Sequence, residues 1–550
     1  MAAAFTHLPI SSLPVWQTLN DVSFVDTRIA EIPGKGYGLV ANRSLTTAKP
    51  TFHRSSLVSV PHNLILNAET VEQYAKQDRN FRQLLEVVGR QSERGDVLLF
   101  LLVQVVLGLK PPGTDSVALP TIWTEYVKFL PADIPLPTMW SDTERLLLQG
   151  TSLEAAVQAK RIALEYEFDQ LHEKSSDIPY WQAAFWDDER AGTGPQLHHW
   201  FLVDAWYRSR CLELPQSGPA MVPCIDLVNH GSAPNAYYEE NEMGGGAHGG
   251  EISLLLRPQQ SVAASDEITI SYSGGDGDGD GDDDHCDTRK PASEMLFSYG
   301  FVDPHSIRQC VILPYRPLPD DPLAKAKLHV FGSPGPRLEI ERFGAATDDD
   351  DDDDDNDGCK KVTPNVRWTC PFAYLACVNE EDGLAFQLRA ETDGTQQLRA
   401  FWQEEDVTEK GRDFESLTKA HPLSAVFQLR VVTMLEEVLE AQLDEMQSAA
   451  ADDTPIRALQ QQQQQLSDNF TARPDVAKQA GLLRDIESRV ISSVLEALET
   501  ERSKLLTDTS VLAYLGSMDI AENDLADEEA SNQKPSDEMA DGEDADDDFS

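Results

Sequence analysis

The stretch that decides the fold is Met221-Val222-Pro223-Cys224-Ile225-Asp226-Leu227-Val228-Asn229-His230-Gly231. An apolar run that includes Asp226 leads into Asn-His-Gly, and a loop rich in Gly, Ser and Pro follows. Polar side chains that follow a buried run are either caps or site residues, and composition alone does not choose between them. We predict that residues 221–228 form a strand, and that the segments around the stretch decide what its polar residues do.

The net charge restricts the classes of partner. The chain has 550 residues, enough for two or three domains, and a formal net charge of −49. Much of that charge lies in runs over 276–287 and 348–357 and in the tail from about 519. Such runs repel themselves and bury no apolar surface, so we predict disorder there. The remaining chain is still acidic, which argues against direct nucleic-acid binding and favours basic protein substrates.

Cysteine usage and hydropathy indicate the compartment. The seven cysteines form no Cys-x-x-Cys pair, so we expect no metal site and free thiols in a reducing compartment. The N-terminus lacks the pattern of a secretory signal. The most apolar segment, 97–109, is well short of the roughly 20 residues that a bilayer span needs. We therefore expect the protein in the cytoplasm and/or nucleus, with no membrane attachment. We also expect a monomer.

Hydrophobic periodicity divides the chain. Residues 24–41 alternate around Gly34, Gly36 and Gly38, which predicts two short strands joined by a tight turn. Helical periodicity follows over 61–208, and strand patterns return at 251–257 and 267–272. Residues 293–301 read as a helical turn ended by Gly300.

The C-terminal part has a different pattern. A strand-like stretch at 308–313 leads to two long amphipathic helices, predicted over 422–446 and 475–506, with six consecutive glutamines at 460–465 between them. We predict a separate all-α domain here.

Four motifs occur in order: Gly-Lys-Gly-Tyr-Gly-Leu-Val-Ala from Gly34, Asp-Leu-Val-Asn-His-Gly from Asp226, Glu-Ile-Thr-Ile-Ser-Tyr from Glu267, and Ser-Tyr-Gly-Phe from Ser298. Together they resemble the SET-domain methyltransferases of the Rubisco large-subunit methyltransferase branch. That branch also contains fungal ribosomal-protein lysine methyltransferases and the actin histidine methyltransferase. The motifs cover roughly residues 24–303, and the architectural resemblance extends to about 506.

The resemblance implies an α+β fold: a SET domain of short sheets with a pseudoknot-like threading, a helical insert, and a C-terminal substrate-binding domain. We predict these divisions: an N-terminal segment 1–23, SET parts 24–60 and 209–305 around an insert 61–208, an acidic loop 274–291, an α-helical domain 306–506 with an acidic loop 347–358, and a disordered tail 507–550.

The resemblance also implies S-adenosylmethionine as cofactor, and it carries site residues over by position. The implied cofactor contacts are Lys35, Gly36, Gly38, Arg210, Asn229, His230, Tyr272 and Phe301. Arg210 would face the carboxylate of the cofactor, and Asn229 and His230 its adenine and amino-acid end. Tyr272 would be the catalytic residue at the methyl-transfer channel, and Tyr299 would line the substrate channel. Each residue taken alone is better explained by packing or capping; the ordered set favours a site.

Methyl transfer from a sulfonium is an in-line displacement, so such an enzyme mainly aligns the acceptor nitrogen, the methyl group and the sulfur. A dry aromatic channel lowers the pKa of the acceptor lysine by desolvation, and neither a metal nor a strong side-chain base is required. The expected activity is methylation of a lysine in a protein substrate, such as a ribosomal or other basic protein.

Alternatives stay open. A histidine methyltransferase of the same branch differs in pocket side chains, and a non-catalytic SET scaffold would keep only peptide binding. Two departures from the family bear on this: Ala292 stands where the family usually has Asn, and the loop after Tyr272 is enlarged by residues 274–291. Residues 276–287 also meet the spacing of a calcium loop, although alternating Asp-Gly is low in complexity.

Overall fold

The protein is described by a computed structural model. The structure describes residues 7–46, 56–109, 118–186, 194–241, 250–272, 290–304, 308–318, 320–343, 365–390, 396–451 and 472–517. The acidic runs 276–287 and 348–357, the glutamine run and the tail from 519 lie outside these residues, as does the calcium-loop pattern.

The chain divides into two compact units. The first contains Met1–Val311, Glu341–Asn365 and Gln442–Val490, and the second contains Ile312–Ile340, Val366–Ala441 and Ile491–Ser550. The divisions predicted from the sequence stay predictions.

Short antiparallel sheets form the β part of the first unit. Their strands are β1 (Ser23–Phe24), β2 (Thr27–Ile32), β3 (Gly36–Ala41), β4 (Leu45–Thr46), β5 (Val58–Pro61), β6 (Cys211–Leu214), β7 (Gly218–Met221), β8 (Ala236–Asn241), β9 (Glu251–Leu256), β10 (Ser261–Val262) and β11 (Glu267–Ile268). The sheet orders are β1-β5-β9-β8, β11-β3-β2, β10-β4 and β6-β7. The glycine-rich hairpin is confirmed as β2 and β3, paired from Thr27 with Ala41 to Ile32 with Gly36. Gly34 and Gly36 have φ values of +77° and +80°, which a side chain would disfavour.

Helices supply most of the insert. Those in the Met1–Val311 part of the first unit are α1 (Leu13–Leu19), α2 (Ala68–Gln77), α3 (Arg79–Val87), α4 (Glu93–Leu109), α5 (Ile122–Tyr126), α6 (Asp142–Arg145), α7 (Glu154–Ser176), α8 (Pro179–Trp181), α9 (Leu197–Arg210) and α10 (Ala292–Tyr299), of which α2 to α9 belong to the insert. Residues 97–106 of α4 are all buried, so the most apolar segment is a core helix. None of the helices in the described part of the chain combines the length and the apolarity needed to cross a membrane. Gly300 ends α10 in the left-handed conformation with φ +84°, as predicted.

The predicted strand at 221–228 needs correction. Strand β7 ends at Met221, and residues Ile225–Leu227 form a 3-10 turn. Cys224, immediately before the turn, has φ +72°, an unfavourable value for a residue with a side chain. The apolar run therefore predicted burial correctly, because the apolar residues among 221–228 are buried. It did not predict the backbone conformation.

The second unit and the segments next to it contain more strands than expected. They are β12 (Arg308–Pro314), β13 (Arg337–Phe343), β14 (Asn365–Thr369), β15 (Leu384–Ala390), β16 (Gln396–Trp402) and β17 (Glu405–Asp406). The helices are α11 (Ala324–Phe331), α12 (Pro371–Ala376), α13 (Phe414–Ala420), α14 (Ser424–Ala451) and α15 (Pro474–Leu505), with a last helix over 509–517. The two long helices were predicted within a few residues.

The all-α prediction for this part is corrected by these strands. Leu384, Phe386 and Leu388 of β15 alternate with Ala385, Gln387 and Arg389, so the period-two signal of a strand was present in the sequence and was overlooked, although Leu388 is 69% accessible in the structure. The α+β class of the whole chain is confirmed.

Candidate functional site

Two segments of the first unit meet at the candidate site. The amide of Ile270 donates to the carbonyl of Asn229, and the amide of Gly231 donates to the carbonyl of Ile270, both at 3.0 Å. The resulting bridge between His230 and Ile270 is parallel, whereas the sheets of this unit pair antiparallel. A side chain at Gly231 would lie 2.5 Å from Thr269 Oγ1, so the close approach of the two segments requires glycine there.

Tyr272 is anchored in this junction by three hydrogen bonds. Its hydroxyl donates to the carbonyl of Val228 at 2.8 Å, and its amide donates to His230 Nδ1 at 3.2 Å. Its own carbonyl accepts from the hydroxyl of Tyr299 at 3.2 Å. Burial raises the pKa of the Tyr272 phenol well above its usual value, and the nearby Arg210 guanidinium only partly opposes this effect. The phenol is therefore a neutral hydrogen-bond donor at physiological pH.

An aromatic cluster surrounds Tyr272. Its ring centroid lies 4.7 Å from that of Tyr299, 5.4 Å from that of His230 and 6.3 Å from that of Phe301. The rings are tilted to one another, and their separations fall within the range of about 4.5–7 Å at which aromatic contacts are favourable. The structure thus brings together the four aromatic site residues that the motifs predicted.

A cavity of about 110 Å³ opens beside the two tyrosines. It is lined by Arg210, Tyr272 and Tyr299 of the predicted set, and also by Asp226, Tyr238 and Lys290. Helix α9 supplies Arg210 at its last position. Two residues earlier, Arg208 donates to the carbonyl of Phe297, which ties α9 to α10.

Arg210 and Asp226 both line this cavity, and each has one buried side-chain atom without a hydrogen bond. Arg210 Nη1 donates to the carbonyl of Asp226 at 2.9 Å and lies 3.7 Å from its Oδ2. Arg210 Nε and Asp226 Oδ2 are buried without a hydrogen bond. Burial raises the pKa of Asp226, although Arg210 opposes the shift. A donor and an acceptor side by side suit a ligand that carries both a carboxylate and an ammonium group.

Asp226 is held in place from behind by a buried tyrosine. The Tyr126 hydroxyl donates to Asp226 Oδ1 at 2.5 Å and accepts from the amide of Cys224 at 2.7 Å. Tyr126 is completely buried. This contact also stabilises the unfavourable backbone conformation of Cys224.

The glycine hairpin reaches the site through Asn229. Asn229 Nδ2 donates to Glu267 Oε1 at 2.8 Å, and Lys35 Nζ forms an ion pair with Glu267 Oε2, also at 2.8 Å. A side chain at Gly38 would lie 2.6 Å from Asn229 Nδ2. Gly36 makes no comparable approach, because nothing lies within 4 Å of a side chain placed there.

Sequence reasoning missed four residues of this site. Asp226 and Glu267 stand inside the recognised motifs, and their positions could have drawn attention to their side chains. Lys290 lies near the end of the enlarged loop, and Tyr126 lies in the insert without any local signal. Among the residues that the structure describes, no group of three or more His, Cys, Asp or Glu side chains could hold a metal ion.

Comparison with family profiles found no match. The chain is 26% identical over 419 residues to SET domain-containing protein 8 of Schizosaccharomyces pombe, covering 76% of this chain and 82% of that protein. It is 23% identical over 304 residues to the chloroplastic ribulose-1,5 bisphosphate carboxylase/oxygenase large subunit N-methyltransferase of Nicotiana tabacum, and 24% over 328 residues to that of Pisum sativum. These alignments cover 54% and 58% of this chain, and the chain spans 52% and 57% of the two plant enzymes.

Solved structures show the same fold. The SET domain of the large-subunit methyltransferase bound to lysine and AdoHcy matches with a TM-score of 0.57 at 18% identity, covering 94% of this chain and 98% of that one. The same enzyme bound to sinefungin and monomethyllysine matches with a TM-score of 0.54 at 17% identity, covering 94% and 99%. These similarities confirm the SET fold and the resemblance to the Rubisco large-subunit methyltransferase branch.

Proposed function

We propose that this SET-domain protein transfers a methyl group from S-adenosylmethionine to a lysine side chain of a protein substrate. The observation that carries the proposal is the placement of Tyr272. Its neutral phenol is fixed to a main-chain carbonyl within an aromatic cluster, and it borders a cavity beside the junction of two recognised motifs. The names of the plant relatives and the ligands of the solved structures support the same reaction.

The residues present fit the cofactor. The unpartnered Arg210 Nε and Asp226 Oδ2 match a ligand with an amino-acid end, as argued above. Arg210, Asn229, His230 and Phe301 would hold it, together with the main chain around Lys35, Gly36 and Gly38. Bound S-adenosylmethionine supplies an electrophilic methyl group on a cationic sulfonium.

The chain's own residues would perform alignment and water exclusion. Tyr272 and Tyr299 form the walls of the acceptor channel, and their rings displace water from the acceptor amine. Desolvation lowers the pKa of that amine, so that it loses its proton before transfer. The hydroxyls of Tyr272 and Tyr299 bond to the main-chain carbonyls of Val228 and Tyr272, and these bonds fix the positions of the two rings. Alignment of this kind accounts for much of the rate of a displacement reaction.

The charge of the chain and the family resemblance bear on its protein substrate, and its cysteine usage bears on the compartment. The acidic chain would attract a basic substrate, such as a ribosomal protein, and we propose a monomer that acts in the cytoplasm and/or nucleus. The proposed domain organisation places substrate binding in the C-terminal part.

Labelled S-adenosylmethionine incubated with the protein and a lysate of the native organism tests the reaction. Mass spectrometry of the labelled band would identify the residue, and a methylated histidine would favour the alternative within the branch. The result would favour a non-catalytic scaffold if no lysate protein became labelled while the protein still bound the cofactor and Asn229→Ala abolished that binding.

Tyr272→Phe tests the catalytic assignment. Loss of the hydroxyl removes the anchor to Val228 and lets the channel wall shift, so kcat should fall about 100-fold, because a misplacement of about 1 Å can cost that much in rate. Binding of S-adenosylhomocysteine, measured by calorimetry, should change little. Tyr166→Phe is the matched control because Tyr166 is 65% exposed on α7. Full activity of Tyr272→Phe would overturn the assignment.

A further inference from the structure

Lys290 reaches the candidate channel although no motif assigns it a role. It precedes α10, and its Nζ donates to the hydroxyl of Tyr299 at 2.5 Å. The same nitrogen lies 4.8 Å from the centroid of the Tyr299 ring, close enough for a cation–π contact. Its side chain is 26% exposed and lines the cavity together with Tyr272 and Tyr299.

The contact determines the direction of a hydrogen-bond chain. An ammonium group can only donate, so the Tyr299 oxygen must accept from Lys290 and is left with its own proton to donate. That proton is directed to the carbonyl of Tyr272 at 3.2 Å. Lys290 therefore fixes the orientation of the Tyr299 hydroxyl, and through it the main chain that carries Tyr272.

The same contact places a positive charge at the cavity wall. The carboxylate of Glu294 lies 3.9 Å from Lys290 Nζ, but its side chain is 48% exposed, so it compensates this charge only weakly. The other titratable groups lining the cavity are Arg210, Cys211, Glu213, Asp226, Tyr238, Tyr272 and Tyr299. A cation at this wall repels a second ammonium group more than it repels a neutral amine.

We propose that Lys290 is a positioning residue of the acceptor channel, which orients Tyr299 against the Tyr272 main chain and disfavours a protonated acceptor amine. The proposal rests on the proposed methyl-transfer function and adds a determinant of its pH dependence.

Three substitutions separate the two effects. Lys290→Gln keeps a donor and removes the charge, Lys290→Arg keeps both, and Lys290→Met removes both. The full chain is assayed with a peptide that contains the lysine identified in the labelling experiment, and kcat is measured as a function of pH at a saturating concentration of this peptide. In Lys290→Gln the acid limb of the kcat–pH profile should move up by about one pH unit, because the acceptor amine is no longer repelled by a cation and keeps its proton to higher pH. In Lys290→Arg the limb should stay in place. Lys290→Met should show the same shift and a further fall in kcat of about tenfold on its plateau, since a typical hydrogen bond is lost as well.

Glu294→Gln is the matched control because it removes the neighbouring charge without touching Tyr299. Its acid limb should stay close to that of the unsubstituted protein. An unshifted limb in Lys290→Gln would overturn the electrostatic part of the proposal, and a plateau in Lys290→Met equal to that in Lys290→Gln would overturn the positioning part.

A structural readout keeps the proposal independent of turnover. In a crystal structure of Lys290→Met, the Tyr299 hydroxyl should leave the carbonyl of Tyr272; if it stays within hydrogen-bond distance, the positioning role is refuted. If the unsubstituted protein binds S-adenosylhomocysteine but methylates nothing, the proposed function fails, and this crystallographic test still applies to Lys290.

Discussion

Gly38→Ala tests whether the glycine hairpin supports the cofactor site through Asn229. Gly38 is buried in β3, and its φ is not in the left-handed region, so an alanine would cause a steric effect rather than backbone strain. The added methyl group would lie 2.6 Å from Asn229 Nδ2 and 2.8 Å from Ile32 Cγ1. To restore an ordinary contact of 3.4 Å, the amide of Asn229 must retreat by about 0.8 Å.

That displacement breaks the 2.8 Å hydrogen bond between Asn229 and Glu267. The lost bond costs about 1 kcal/mol, and overpacking of a well-packed position costs about 1–3 kcal/mol. We therefore expect the free energy of unfolding to fall by about 2–4 kcal/mol, the sum of the two terms. If Asn229 contacts the cofactor as proposed, the Kd for S-adenosylhomocysteine should rise by about fivefold, equivalent to about 1 kcal/mol.

Urea unfolding measures the first quantity and isothermal calorimetry the second. Gly481→Ala is a suitable control because Gly481 lies within α15, beyond its first two turns, and nothing lies within 4 Å of a side chain placed there. This change should stabilise the helix by up to about 1 kcal/mol and leave affinity unchanged. A folded Gly38→Ala protein with unchanged affinity would refute the coupling between the hairpin and the site.

Two further predictions concern buried polar groups. Tyr126→Phe removes the hydroxyl that bonds the Cys224 amide and Asp226 Oδ1 in the core, so the free energy of unfolding in urea should fall by about 2–3 kcal/mol; an unchanged value would contradict this network. Burial alone would raise the pKa of Glu144, but hydrogen bonds from Arg473 outweigh it and lower the pKa from 4.5 to about 2. The stability from this pair should therefore be complete above pH 4.5 and be lost as the pH falls towards 2, and Arg473→Gln should flatten that dependence in acid titrations of stability.

Local patterns predicted many elements of the fold. The glycine hairpin, the core helix α4, the end of α10 at Gly300 and the two long C-terminal helices each depend on periodicity or on residues close in sequence. Such features are readable because their hydrogen bonds and apolar faces repeat within one segment. The order of the four motifs then indicated the SET fold.

The polar contacts between distant residues of the site could not be predicted from the sequence. Tyr126 and Asp226 are 100 residues apart, and Lys35 and Glu267 are 232 apart. Nothing local in either residue of a pair specifies the other, because the first contact exists only after the helical insert and the β part have packed and the second only after β3 and β11 have paired. The Lys290 contact is also invisible in the sequence, since a lysine next to proline reads as a surface residue.

The stretch from Met221 to Gly231 shows the same division. Its sequence determined that the segment is buried and that it ends in polar residues, because apolar composition reports burial directly. The tertiary structure decided that residues Ile225–Leu227 form a 3-10 turn, that Asn229 and Gly231 pair in parallel with Ile270, and that Asp226 lines a cavity. These depend on hydrogen bonds from distant segments, and a backbone group buried in the core takes whichever partner the packed fold offers it.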